Sequence, residues 1–367
     1  MNASTLPSPS PAVDEDVVEQ ARTDDGVAPQ GQHSPGTEQP GGESRSALAG
    51  GGAMVGAMAG AGVGAVVGGP LGAVVGGTLG SVAGAVSAVA GTATHEPDPT
   101  ETVHLHVEDS GGTGRPVVLI HGWPLSSQAW SLQTDALRNA GYRVIAYDRR
   151  GFGQSGKPES GYDYDTLTDD LERVLVERDL QNVTLVGFSM GGGEVARYVG
   201  RHSEARLRSV VFAAAVPPAM MKTADNPDGP LTPEKAQEMK EGLEKDRDAF
   251  FDQFTRDFFS AHGALKVSEP QRSEAVSLCH QSTQQAAVAC MDSFGLTDFR
   301  DDLRQVTVPT LVIHGDADAI VPIEGSGLRT HRIVGHSELV TIPGGPHGLN
   351  VSHADAFNEA LLAFLSR

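Results

Sequence analysis

Ser189 stands between glycines in Gly187-Phe188-Ser189-Met190-Gly191. The apolar run Val183-Thr184-Leu185-Val186 precedes it, and from Glu194 a segment follows with Val195, Tyr198 and Val199 at helical spacing. A strand, a sharp turn and a helix in that order lift a hydroxyl clear of the backbone, the arrangement of a nucleophile elbow. A serine hydroxyl is a weak nucleophile at neutral pH. It needs a base within hydrogen-bond reach, and the base needs an acceptor that sets its tautomer and offsets its charge. Two later stretches offer such groups: Gly315-Asp316-Ala317-Asp318 holds two carboxylates, and Pro343-Gly344-Gly345-Pro346-His347-Gly348 holds an imidazole. Acyl transfer through a proton relay is the chemistry these residue types would perform.

The elements around these residues must bring them together. Strand-like runs are expected at 103–107, 117–121, 143–148, 183–188, 209–214, 310–314 and 338–342, with helical patterns at about 127–140, 165–179, 192–202 and 352–366. This alternation predicts a mostly parallel sheet covered by helices on both faces. In such sheets, functional residues collect on loops at the carboxyl ends of strands, where Ser189, both carboxylates and His347 fall. Residues 217–305 interrupt the alternation and read as helical. Thr232-Pro233 offers a helix cap with a first-turn proline, and Phe250, Phe251, Phe254, Phe258 and Phe259 recur at helical spacing. A cap inserted here would roof Ser189, with some of these rings walling the pocket.

The order Ser, Asp, His along the chain is the one expected for α/β-hydrolases. The chain resembles the cofactor-free haloperoxidase and aryl-esterase branch of that superfamily over residues 102–367. The words that carry the resemblance are HGWPLSSQAW at 121–130, YDRRGFGQSGKP at 147–158, GFSMGGGEVARYVGRH at 187–202, VPTLVIHGDADAIVP at 308–322 and GGPHGLNVSH at 344–353. It implies an eight-stranded, mostly parallel sheet with a helical cap at about 217–305. It also implies Ser189 as nucleophile, His347 as general base and acid, and Asp318 as the orienting carboxylate, leaving Asp316 to support its loop. The oxyanion hole is then expected from two backbone N–H groups, those of Met190 and Trp123.

The substrate class so implied is a small carboxylic ester, with no metal, haem or other cofactor. Pro124 follows Trp123, and a Trp-Pro pair at this point is associated in the family with perhydrolysis, in which hydrogen peroxide takes the place of water. Lactonase or C–C hydrolase activity on the same fold is the alternative chemistry. From another class comes the reading of a membrane-anchoring or assembly protein whose hydrolase-like body only binds.

Composition divides the chain. Residues 1–45 hold eight acidic and two basic residues and no aromatic one, so this tail is expected to be disordered. Residues 46–94 carry no Asp, Glu, Lys or Arg, and glycine recurs at 52, 56, 60, 64, 68, 72, 76, 80 and 84. A period of four places a smooth face along a helix, the small-xxx-small packing of membrane spans. Gly69-Pro70 would break that helix into two pieces of ~36 Å each, long enough for a bilayer hairpin. The competing reading is a low-complexity linker that orders only on self-association or against another protein, and a homo-oligomer is the expected state. No basic patch with a following apolar run opens the chain, so no ordinary signal peptide is expected, and the expected location is cytoplasmic or membrane-associated.

Net charge of −20 argues against a nucleic-acid partner, which would call for clustered Lys and Arg. Two cysteines, Cys279 and Cys290, make no disulfide framework and are expected as reduced, helix-buried thiols. The word Gly151-Phe152-Gly153-Gln154-Ser155-Gly156 matches a dinucleotide pattern literally but is followed by Lys157-Pro158 in place of a helix. His104 and His106 share a strand face without a third ligand nearby and read as an exposed polar face.

Overall fold

A computed structural model describes residues 102–367. The acidic tail at 1–45 and the glycine-period segment at 46–94 lie outside the described residues.

The described chain forms a seven-stranded sheet. Its strands are β1 (Val107–Asp109), β2 (Pro116–Ile120), β3 (Arg143–Tyr147), β4 (Val183–Phe188), β5 (Leu207–Ala213), β6 (Thr310–Gly315) and β7 (Glu338–Ile342), in the spatial order β1-β3-β2-β4-β5-β6-β7. All neighbours are parallel except β1, which pairs antiparallel with β3. Every residue of β4 and β6 is buried, as continuous Val/Leu/Ile runs require of strands covered on both faces.

The expected eight-stranded sheet has seven strands among the described residues, and a separate two-stranded ladder in the cap pairs Ser260–Ala261 with Ala264–Leu265. The expected strand at 103–107 reaches regular pairing only from Val107. Before it, the His106 N–H donates to Ser155 Oγ, while the His104 and His106 carbonyls accept from Gly156 and Asp148. A serine hydroxyl and a loop thus take the groups that a further strand would have paired.

Helices α1 (Ser131–Asn139), α2 (Tyr164–Glu177) and α3 (Met190–His202) follow β2, β3 and β4 in turn. Asp163 opens α2 by accepting from the Thr166 N–H. Between β5 and β6 the chain builds the cap from α4 (Pro233–Lys245), α5 (Arg247–Phe258), α6 (Glu269–His280), α7 (Gln284–Leu296) and α8 (Arg300–Arg304). Four of these starts carry side-chain caps, from Thr232, Asp246, Ser268 and Thr283. The expected Thr232-Pro233 start is among them. Helix α9 (Gly327–Ile333) precedes β7, and α10 (Leu349–Ser352) and α11 (Ala354–Leu365) close the chain. Cys279 and Cys290 are free and buried in α6 and α7. Among the described residues no helix is long and apolar enough to cross a membrane.

The chain runs from β2 outward to β3, then back across to β4. The loops leaving β2 and β4 therefore diverge side by side, the switch point at which open α/β sheets place ligands.

Candidate active site

Ser189 joins β4 to α3 with φ 53° and ψ −117°, a backbone region rarely entered by a non-glycine residue. The turn closes only because its neighbours lack side chains. A Cβ at Gly187 would run into the Gly191 carbonyl, and one at Gly191 would meet the Ile120 carbonyl at 2.5 Å. The result is a buried serine at the carboxyl end of a central strand, with its hydroxyl facing the cap.

The three separated stretches converge on it. The Ser189 hydroxyl lies 2.9 Å from His347 Nε2, and His347 Nδ1 lies 2.7 Å from Asp318 Oδ2. The carboxylate fixes the tautomer: Nδ1 carries the hydrogen and donates to Asp318, leaving Nε2 to accept from the serine. Asp318 Oδ1 accepts from the Ile320 and Val321 N–H groups at 3.0 and 2.8 Å. Burial opposes its charge, but His347 and His314 outweigh it and hold the carboxyl well below its ordinary value. Asp316 sits elsewhere, accepting from the Gly344 N–H at 2.6 Å and so tying the loop after β6 to the loop that carries His347.

The turn after β2 lies against the elbow. Trp123 and Met190 are both buried, and neither N–H donates to a protein acceptor among the described residues. Met190 opens α3, so its N–H has no partner within the helix. Two buried, unclaimed donors beside one hydroxyl are costly unless something accepts from them. The Trp123–Pro124 peptide is cis, and the Trp123 indole donates to the Ala287 carbonyl at 3.0 Å, anchoring the turn to α7.

The cap supplies the roof. A cavity of about 50 Å³ is lined by Ser189, His347 and Trp123 from the body and by Phe254, Phe294 and Met239 from the cap. Of the five phenylalanines expected at helical spacing, Phe254 lines this space. Phe250 and Phe251 pack edge-on to Trp123 behind it, and Phe258 packs edge-on to the His347 ring. Phe294 on α7 also faces the cavity, although no periodicity singles it out. A second cavity of about 220 Å³ lies beyond, between α4 and α7, and Leu231, Met239 and Phe294 line both.

Two groups of buried polar residues escaped the sequence reading. His314 Nε2 lies 2.8 Å from the Val321 carbonyl and 3.3 Å from Asp318 Oδ2, so this nitrogen carries the hydrogen and backs the carboxylate from behind. The other group ties the two N–H donors together. Arg149 Nη2 donates to the His121 carbonyl at 2.7 Å and its Nε to Glu194 Oε1 at 2.6 Å. Tyr147 Oη donates to Glu194 Oε2 at 2.6 Å. His121 begins the turn that carries Trp123, and Glu194 lies one helical turn beyond Met190. His121 shapes its turn as a neutral side chain: burial, then Arg149, pushes its imidazole down to about 3. The neutral ring accepts from the Arg149 N–H at 2.9 Å on Nε2 and donates to the Gly122 carbonyl from Nδ1. A charged residue within a helix otherwise expected to pack inward, Glu194 in GGGEVA, was the only sequence signal for this group.

His353 closes the short turn between α10 and α11, and His106 faces Glu108 and Gln154 at the sheet edge. Neither approaches Ser189.

The family model described as alpha/beta hydrolase fold matches residues 115–354. A non-heme chloroperoxidase of Kitasatospora aureofaciens is 45% identical over 259 residues, covering 70% of this chain and 94% of that one. A bifunctional esterase/perhydrolase of Acinetobacter calcoaceticus is 38% identical, covering 72% and 96%. Among solved structures, a bromoperoxidase from Bacillus anthracis is 50% identical with a TM-score of 0.71, covering 74% of this chain and 99% of its own.

Proposed function

The chain belongs to the α/β-hydrolase family, in its branch of non-heme haloperoxidases and esterases, and on that premise we propose that Ser189, His347 and Asp318 cleave small carboxylic esters through an acyl-enzyme. Ser189 Oγ attacks the ester carbonyl as His347 Nε2 takes its proton. The developing oxyanion accepts from the N–H groups of Trp123 and Met190, and Asp318 stabilises the imidazolium. The alkoxide leaves with the proton from His347. Water, activated by the same nitrogen, then attacks the acyl carbon and releases the acid. When hydrogen peroxide attacks instead, the product is a peracid. Pro124 beside the Trp123 donor and the esterase/perhydrolase relative support this second outcome.

The observation that carries the reading is the unbroken hydrogen-bonded line from Ser189 Oγ through His347 to Asp318, at 2.9 and 2.7 Å. The small inner cavity sets the substrate class, because an acyl group longer than a few carbons must displace Leu231, Met239 or Phe294. A panel of p-nitrophenyl esters tests this, run with and without peroxide on the full chain. Acetate is expected to exceed octanoate by about tenfold or more in kcat/KM, with peracid appearing when peroxide is present. Rates no higher than those of a Ser189→Ala control would sink both outcomes.

We further propose that residues 101–367 act as one hydrolase domain, with its cap at about 217–305, behind an acidic tail. In this reading the period-four glycines of 46–94 hold copies of the chain together or against a membrane. Detergent-free fractionation with sizing separates these choices: soluble oligomers favour self-association, sedimentation with membranes favours anchoring, and soluble monomers remove both.

A further inference from the structure

The described chain contains methionine at only five positions, 190, 220, 221, 239 and 291. Met190 provides the backbone N–H beside the nucleophile. The other four all line the two cavities: Met220 and Met239 face the inner one, and Met221, Met239 and Met291 face the outer one. Cap and body surfaces elsewhere carry none. Met239, on α4, lines both cavities together with Leu231 and Phe294.

We propose that these methionines are an oxidation site that makes the enzyme self-limiting when it uses peroxide, an inference that rests on the perhydrolase outcome above. A peracid formed at Ser189 carries a weak O–O bond. The thioether sulfur of Met239 or Met220 attacks its terminal oxygen. The O–O bond breaks, sulfur gives up two electrons and gains oxygen, the proton passes to the departing carboxylate, and carboxylic acid is the second product. The thiols offer no competing target: Cys279 and Cys290 line neither cavity, and burial pushes the Cys290 thiol up to about 12, keeping it from the reactive thiolate form. Sulfoxide is polar and larger than the thioether. At Met239 it would put a polar group into an apolar cavity and obstruct the acyl pocket. Reduction of the sulfoxide restores the original side chain, so the loss is reversible.

The test uses full-length enzyme with hydrogen peroxide and ethyl acetate, and with peroxide alone. Ser189→Ala receives authentic peracetic acid from outside, at the concentration the active enzyme reaches. Peptide mass spectrometry scores oxygen gained at each methionine, and the esterase rate and peracid are followed in parallel. Sulfoxide at Met239 and Met220 is expected to be about tenfold above the externally dosed Ser189→Ala protein, because the oxidant is released beside the sulfur at high effective concentration. The esterase rate should fall in step and recover with methionine sulfoxide reductases, and Met239→Leu should keep a larger fraction of its own initial rate. Peracid formed with these methionines intact, or oxidised no more than in the external arm, overturns this inference alone. Absence of any peracid, with ester hydrolysis unaffected, overturns the perhydrolase outcome and this inference with it.

Discussion

Ser189→Ala is expected to lower ester kcat by about 10⁴- to 10⁶-fold while the protein melts at nearly the wild-type temperature. The hydroxyl contributes one hydrogen bond to His347 and occupies a corner of a cavity, so its loss costs the fold little. Its loss costs the reaction the covalent route. His347→Ala falls into the same range, because an unassisted hydroxyl is a poor nucleophile. Asp318→Asn is expected to fall about 10³- to 10⁴-fold: the amide can donate to His347 Nδ1 and so favour the tautomer in which Nε2 carries the hydrogen and cannot act as base. A fluorophosphonate probe checks all three independently of substrate. It should label Ser189 in the wild type, and the label should vanish in Ser189→Ala and His347→Ala. Labelling that persists at full rate in His347→Ala protein would remove the imidazole from the mechanism.

Arg149→Met should destabilise the protein by about 3–5 kcal/mol, since it leaves the Glu194 carboxylate buried without its partner. At about 2–4 °C per kcal/mol for a domain of this size, the melting temperature should fall by roughly 6–20 °C. Burial opposes both charges and pushes the Glu194 carboxyl up, while Glu194 in turn holds the Arg149 guanidinium above its ordinary value. The same contacts bridge the two sources of backbone N–H: Arg149 grips the His121 carbonyl, and Glu194 belongs to the helix that Met190 opens. The remaining activity should therefore show a kcat reduced by about 10- to 100-fold with KM little changed, as expected for donors displaced from a transition-state oxygen.

The double variant Arg149→Met with Glu194→Leu separates the two roles. Replacing both charges with apolar groups should recover much of the lost stability, while kcat stays low because nothing holds the His121 carbonyl. Recovery of kcat together with the melting temperature would show that the pair serves stability alone.

The architecture was legible because its signals are local. Apolar runs such as 183–188 and 310–314 have the length and branching of buried strands, and Thr232-Pro233 announces a helix start through one hydroxyl and one fixed φ. The edge of the sheet was less legible, and the eighth strand that the resemblance implied is absent among the described residues. Whether residues 103–106 pair as a strand depends on Ser155 and Gly156, about fifty positions away. Residue type and spacing also pointed to Ser189, His347 and the pair Asp316 and Asp318, since few side chains can serve as nucleophile, base and orienter at the ends of strands, and the family resemblance chose Asp318 of the two.

By itself, then, the sequence determined which elements form and which few residues carry reactive groups at strand ends, because periodicity, turn chemistry and motif spacing act over short stretches of chain. Only the tertiary structure decided what surrounds those groups: Phe254 and Phe294 over the inner cavity, His314 behind Asp318, Arg149 spanning from His121 to Glu194, and four methionines lining two adjoining cavities. Those placements follow from strand order and from how the cap sits on the sheet. They are set by burial summed over contacts between distant segments, and no single stretch of chain records that sum.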